Sequence, residues 1–224
     1  MDYCFFTEGV DAKETEHTEA TVVATIKTVL LMVETLCHSL WAYPVQSKGA
    51  AEQWVIEQIA EDLETVGLAN ERIIIKAVQE NSITDVQRAV ARLRKDYGTG
   101  VEQSRVGESN SNGKVERAIQ DFKGLTRTLR SALTRKIGSR VKLSDTVVPW
   151  MVRHAAHLIN VSRVHTDGRT AWQRMKGRRS NIKFLRFGEA VLFKIPKTNK
   201  GWGSLKTDGS SFAGWGVCQD LANI

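Results

Sequence analysis

Two carboxylates stand out by their settings. Asp2 lies inside an apolar opening run, Met1-Asp2-Tyr3-Cys4-Phe5-Phe6, which has the composition of a β-strand. Glu116 follows Asn112-Gly113 and opens a long helical stretch. A third apolar run, Ile73-Ile74-Ile75 and on to Val78, has the pattern of a buried strand. In a mixed sheet that strand would lie beside the first. Carboxylates at three such places would converge at one end of the sheet. Converging carboxylates are how proteins hold pairs of Mg²⁺ ions, which clamp the attacking and leaving oxygens of a phosphoryl transfer. Each acid alone has a plainer reading. Asp2 could be a terminal strand residue, and Glu116 an acid that complements a helix N-terminus.

The elements that must position these groups follow from periodicity. Residues 7–25 are polar, rich in Thr and Glu and aperiodic, so they read as a loop. Thr28 to Thr35 and Leu40 to Val45 read as the strands of a hairpin turned by Leu36-Cys37-His38-Ser39. Ala50 to Gly67 is helical, with Trp54, Val55, Ile59, Leu63 and Val66 at three- and four-residue steps. Arg72 to Val78 is a strand. Ser82 to Tyr97 is a helix capped by Ser82 or Thr84 and closed by Gly98. Gly100 to Val106 is a further strand. Glu108 to Gly113 reads as a flexible loop. A helix from Lys114 to about Lys136 carries the stripe Val115, Ile119, Phe122, Leu129 and Leu133, and another spans Ser144 to Val161. Trp41, Trp54, Trp150 and Trp172 are most simply core aromatics. The expected fold is α/β, a mixed sheet with helices on its faces.

Composition is that of a globular protein, with 42% hydrophobic and 25% charged residues. The net charge of +7 is unevenly placed. Residues 1–113 hold 10 Lys/Arg against 18 Asp/Glu, whereas residues 114–186 hold 18 against 4. Like charges packed this densely repel, and binding a polyanion is the usual compensation. The alternative is a solvated basic face. Three cysteines, Cys4, Cys37 and Cys218, without a C-x-x-C pair suit free thiols and argue against a cysteine-built zinc site. No apolar run is long enough to span a bilayer. The opening on a strand suggests a truncated product.

The motif residues give a resemblance. Ser111-Asn112-Gly113-Lys114-Val115-Glu116-Arg117 resembles the Asn-Gly-x-x-Glu-Arg signature of copia-like and related retrotransposon integrases. Met1-Asp2-Tyr3 resembles their first catalytic strand, and Ile73 to Glu80 their second. Gly168-Arg169-Thr170-Ala171-Trp172 and Phe187-Gly188 resemble elements that follow the core. The resemblance implies an RNase H-like fold, Mg²⁺ or Mn²⁺ held by Asp2 and Glu116, and the trimming and joining of cDNA ends to target DNA. It implies DNA as partner and homo-oligomers for the joining step. It also implies a place in the nucleus or in a cytoplasmic retroelement particle rather than secretion or a membrane.

The departure lies at the second acid. The family pattern is Asp, Asp, Glu, and its middle member falls where this chain has Val78, in Lys76-Ala77-Val78. Thirty-seven residues separate Val78 from Glu116, close to the family's gap. Glu80 and Asp85 are the nearby carboxylates. If the strand continued, Glu80 would share a face with residue 78. The expectation is therefore an integrase core impaired in catalysis, or an RNase H-like module that binds nucleic acid without cutting it.

Glu116, Gln120, Lys123, Arg127 and Arg130 form one polar stripe along the long helix, which suits a track for a DNA backbone as well as a solvated face. Lys114 and Arg117 flank Glu116 and would reach a phosphate at the helix N-terminus. Arg174, Lys176, Arg178, Arg179, Lys183 and Arg186 read as phosphate contacts or a localisation patch. His154 and His157 sit one helical turn apart and read as ordinary histidines. The expected layout is a catalytic-core-like domain over 1–165, a basic linker over 166–186, and a small, incomplete β appendage over 187–224.

Overall fold

The computed structural model describes residues 1–6, 28–104, 109–181 and 186–189. The expected loop at 7–25 and the β appendage beyond residue 189 lie outside them. The chain divides into two units, Met1–Ile182 and Lys183–Ile224.

In the first unit, β1 (Asp2–Phe5), β2 (Thr28–Val33) and β3 (Leu40–Val45) form an antiparallel meander. Its register sets Asp2 against Leu31 and Leu31 against Ala42. Helix α1 (Gln53–Thr65) then leads to β4 (Ile73–Ala77), and α2 (Asn81–Leu93) with a 3₁₀ turn (Lys95–Tyr97) leads to β5 (Thr99–Gln103). Strands β4 and β5 pair in parallel, as strands joined by a helical crossover do. The two sheets meet where the Met1 nitrogen donates to the Lys76 carbonyl at 2.7 Å. The described strands thus form one sheet in the order β1-β2-β3 and a second of β4 and β5, in contact at that point. Pro44 is tolerated in β3 because β3 is an edge strand and needs no second donor row. Three antiparallel strands followed by two parallel ones through helical crossovers make an RNase H-like fold.

Helices cover both faces, which is why β2 is apolar almost throughout. On one face Val55, Ile56, Ile59 and Leu63 of α1 and Ile83, Val86 and Val90 of α2 pack with Tyr3, Leu30, Met32, Tyr43 and Ile75. On the other, α3 (Ser109–Ile137) packs on β2 and α4 (Val147–Ser162) on β3. This layer buries Phe122, Leu133, Met151, Val152 and Ala155.

Several expectations need correcting. Helix α3 begins at Ser109, so Ser109 to Gly113 are its first turns and not a loop. Helix α2 is capped at Glu80, not at Ser82 or Thr84, and no side chain closes that cap. Ile74 is 68% exposed rather than buried. Trp54 and Trp150 are not core residues. Both are exposed, and with Pro44, Pro149 and Arg153 they line a surface pocket. Arg153 lies over the Trp54 ring at 5.3 Å. Within the stretch read as a linker, Ala171–Lys176 forms a short helix, α5, whose Thr170 and Gln173 make a reciprocal capping box.

Candidate active site

Alternation along β1 divides its side chains. Tyr3 belongs to the core under α1 and α2, so Asp2 and Cys4 face the other layer, that of α3. Asp2 is half-buried, and its Oδ1 accepts the Tyr3 backbone N–H at 2.7 Å. Burial raises its carboxyl above the usual carboxylate range. The Tyr3 N–H and the Met1 amino group oppose that rise, while the negative charges of Glu80 and Glu116 add to it. The fields of Glu80 and Glu116 therefore meet at Asp2, although the three residues are far apart in sequence.

Helix α3 brings Glu116 there. Two turns further on, Lys123 lies close enough to Cys4 for its charge to favour the thiolate, though burial dominates and pushes the thiol up to about 12. The helix thus crosses the Asp2–Cys4 side of β1, with Glu116 exposed at one end of the crossing.

Val78 follows β4 directly and packs, partly buried, against the core of the α1–α2 side. The hydrogen bond from the Met1 nitrogen to the Lys76 carbonyl brings the start of β1 close to the end of β4. The chain does not continue as a strand to Glu80. The Glu80 N–H turns back to the Val78 carbonyl at 2.9 Å, and the Glu80 carbonyl accepts from Ile83 and Thr84 to start α2. The Glu80 carboxylate is taken up by Lys48 Nζ at 2.5 Å and Ser82 Oγ at 2.7 Å. Burial would raise this carboxyl, but the hydrogen bonds from Lys48 and Ser82 and the Lys48 charge bring it below its ordinary value. Lys48 also lies over the rings of Tyr3 and Phe5, at 5.4 and 4.9 Å. Asp85 is exposed on α2. Sequence reasoning missed Lys48, whose only signal was a lone lysine in a turn.

Divalent cations of this chemistry need carboxylate oxygens from several side chains. Val78 contributes no side-chain oxygen and the Glu80 carboxylate is held by Lys48 and Ser82, which leaves Asp2 and Glu116 as the carboxylates whose charges meet there.

The α3 stripe is split in its roles. Lys114, Arg117 and Arg127 are exposed, and Lys123 is half-buried beside β1. Arg117 lies 3.7 Å from Asp121, which also takes the Arg163 guanidinium. Arg130 is half-buried and donates from Nε to the Val141 carbonyl at 2.8 Å, bracing the α3–α4 connection. Of the later basic residues, Arg174 is bound to Asp167 at 2.8 Å, and Lys176 reaches the Thr65 carbonyl at 3.4 Å. Arg178 and Arg179 are exposed. Lys183 lies outside the described residues. His157 packs edge-on to Trp172, and burial lowers the pKa of His154 and His157.

The chain is similar to solved structures that include the following two. One is the catalytic core domain of BIV integrase, at 17% identity, covering 67% of this chain and 86% of that one with a TM-score of 0.47. The other belongs to the cryo-EM structure of a simian T-cell lymphotropic virus intasome in complex with PP2A regulatory subunit B56 gamma. There identity is 14%, coverage is 75% of this chain and 54% of that one, and the TM-score is 0.47. The chain thus spans about half the length of the intasome chain. No protein-family model and no curated protein matches the sequence.

Proposed function

We propose that this chain is the integrase-type core of a retroelement. Its class of chemistry is metal-assisted phosphoryl transfer that joins cDNA ends to target DNA, and this copy is impaired because Val78 stands where the second acid belongs. The reading is supported by the charges of Glu80 and Glu116 reaching Asp2, and by Val78 following β4 directly at the position where the family pattern has its second acid. Asp2 and Glu116 are the proposed metal-facing acids, for Mg²⁺ or Mn²⁺. Lys114, Arg117, Lys123 and Arg127 are proposed to follow the phosphate backbone of DNA, which positions a duplex without reading its bases. Homo-oligomers and a site of action in the nucleus or a cytoplasmic particle belong to the same proposal. Among the described residues no helix is long and apolar enough to cross a membrane.

A second reading is favoured by the Lys48–Glu80 pair. A site whose spare carboxylate is neutralised by the protein's own lysine suits a module that binds nucleic acid and does not cut it.

The deciding test is a strand-joining assay on labelled DNA with Mg²⁺ or Mn²⁺, comparing the chain with Val78→Asp. Joining by the variant alone is the expected result, and adding Glu116→Gln should abolish it. Joining by the unmodified chain that depends on Glu116 would overturn the impairment. Joining by neither leaves the binding-module reading.

A further inference from the structure

The loop after β3 carries a cation into the neighbourhood of the carboxylates. Glu52 fixes that loop by accepting the Gln46 and Ser47 backbone N–H groups, at 2.7 and 3.1 Å. Gly49 turns it at φ 99°, in the region that favours glycine, and the Gly49 N–H donates to the Tyr3 hydroxyl at 2.9 Å. Lys48 is thereby laid against β1, with its ammonium over the rings of Tyr3 and Phe5. Tyr3 follows Asp2 directly, and its backbone N–H is the one that Asp2 Oδ1 accepts.

Glu80 reaches the same place from the start of α2. Its backbone is pinned on both sides, by the Val78 carbonyl and by the amides of Ile83 and Thr84. Its carboxylate is held by side chains alone. A single oxygen, Oε1, takes both the Lys48 ammonium and the Ser82 hydroxyl. The two side chains of the ion pair are 39% and 33% exposed, so the pair is weak and opens at small cost. Three rotatable bonds separate the Glu80 carboxylate from its backbone, so it can turn away from Lys48 without moving α2.

A divalent ion at Asp2 and Glu116 meets Lys48 in two ways. The ammonium repels it, and the same ammonium engages the third nearby carboxylate, whose charge reaches Asp2.

We propose that Lys48 is an internal counter-cation that withholds Glu80 from Asp2 and Glu116, so that opening of the Lys48–Glu80 pair governs how tightly a divalent ion binds there. The proposal rests on the integrase-type reading above and names the residue that regulates its metal-facing acids. Two acids alone hold such an ion weakly, and Glu80, once released, adds both a ligand and a charge. Lys48 is thus a positioning residue, acting through Glu80.

The test is Mn²⁺ binding to the full chain, read from the electron paramagnetic resonance of the free ion. The unmodified chain is compared with Lys48→Met, Lys48→Arg, Glu80→Gln and Lys48→Met/Glu80→Gln. Methionine keeps an apolar stem over the rings and removes the charge. Lys48→Met should bind Mn²⁺ about tenfold more tightly, part of the gain coming from the pair that no longer has to open and part from the lost repulsion. Adding Glu80→Gln should remove that gain, and Glu80→Gln alone should not tighten binding. Lys48→Arg keeps the charge and should bind as the unmodified chain does. A Lys48→Met protein that circular dichroism shows folded and that binds no more tightly overturns the proposal, as does a gain that survives Glu80→Gln. Lys48→Gln replaces Lys48→Met in each comparison if the latter does not fold. Glu116→Gln tests the underlying reading separately. If it weakens Mn²⁺ binding while Lys48→Met changes nothing, Asp2 and Glu116 stand as metal-facing acids and only the role of Lys48 falls. If neither the unmodified chain nor Lys48→Met binds Mn²⁺ measurably, or if Glu116→Gln changes nothing in either, the metal reading falls with the proposal.

Discussion

Asp62→Asn should make the protein more stable near neutral pH. Asp62 on α1 accepts the buried Tyr43 hydroxyl at 2.7 Å, across the layer between α1 and β3. Burial raises its carboxyl from 3.8 to about 6. The hydrogen bonds from Tyr43 and Gln58 and the charge of Arg153 oppose that rise, and Glu61 adds to it. A gap of roughly two pKa units is about 3 kcal/mol, and residual solvent contact brings it nearer 2. Because the folded-state value lies above the unfolded one, this stability is complete below about pH 4 and is lost as pH rises through about 6. Asparagine keeps an oxygen for Tyr43 and carries no charge. The variant should gain about 2 kcal/mol at about pH 7.5, a melting point higher by about 4–8 °C, and no advantage by about pH 4. Urea and thermal unfolding at both pH values measure this. If Asp62→Asn destabilises equally at both, the buried carboxylate carries no ionisation penalty and the reasoning fails.

Other outcomes follow from the same contacts. Arg94 is buried and donates to the carbonyls of Leu68, Ala69 and Glu71 and to Thr99 Oγ1, so Arg94→Met should cost about 3 kcal/mol in urea unfolding; an unshifted midpoint would show those acceptors satisfied by water. Asn160→Leu leaves the Leu40 N–H and carbonyl without the side-chain amide that binds both, at 2.8 and 2.9 Å. It should cost about 2 kcal/mol and speed amide exchange at Leu40. Arg127→Gln should reduce the salt dependence of DNA binding by about one counterion. Arg130→Gln should instead lower the melting temperature and leave that slope alone, since Arg130 braces Val141.

The strands and helices were legible where period and turn chemistry agreed, as in the Thr28–Val45 hairpin and the helix ended by Gly67 at φ 81°. The first turns of α3 were not, because Ser-Asn-Ser-Asn-Gly has poor helix propensity and the continuing helix overrides it. The place of Glu80 depended on how far β4 runs. Alternation applies only while a strand lasts, and β4 stops at Ala77. Asp2 and Glu116 were singled out by motif, whereas Lys48, the His38–His165 stack and the buried anchors Arg94 and Asn160 join distant parts of the chain and leave no local pattern. Trp54 and Trp150 show the limit of hydrophobicity itself. It marks what favours burial, and both residues are exposed at a pocket's rim.

The amide of Asn160 sits against Leu40, the first residue of the edge strand β3, much as a peptide group of a neighbouring strand would. It therefore acts as a one-residue counterfeit strand that ends the sheet. A row of open donors and acceptors is a template on which another chain's strand can grow, and templated growth of that kind leads to fibrous aggregates. A single side chain borrowed from a helix occupies the backbone donor and acceptor of Leu40, so the residue that fastens α4 also closes that position of the edge to another strand.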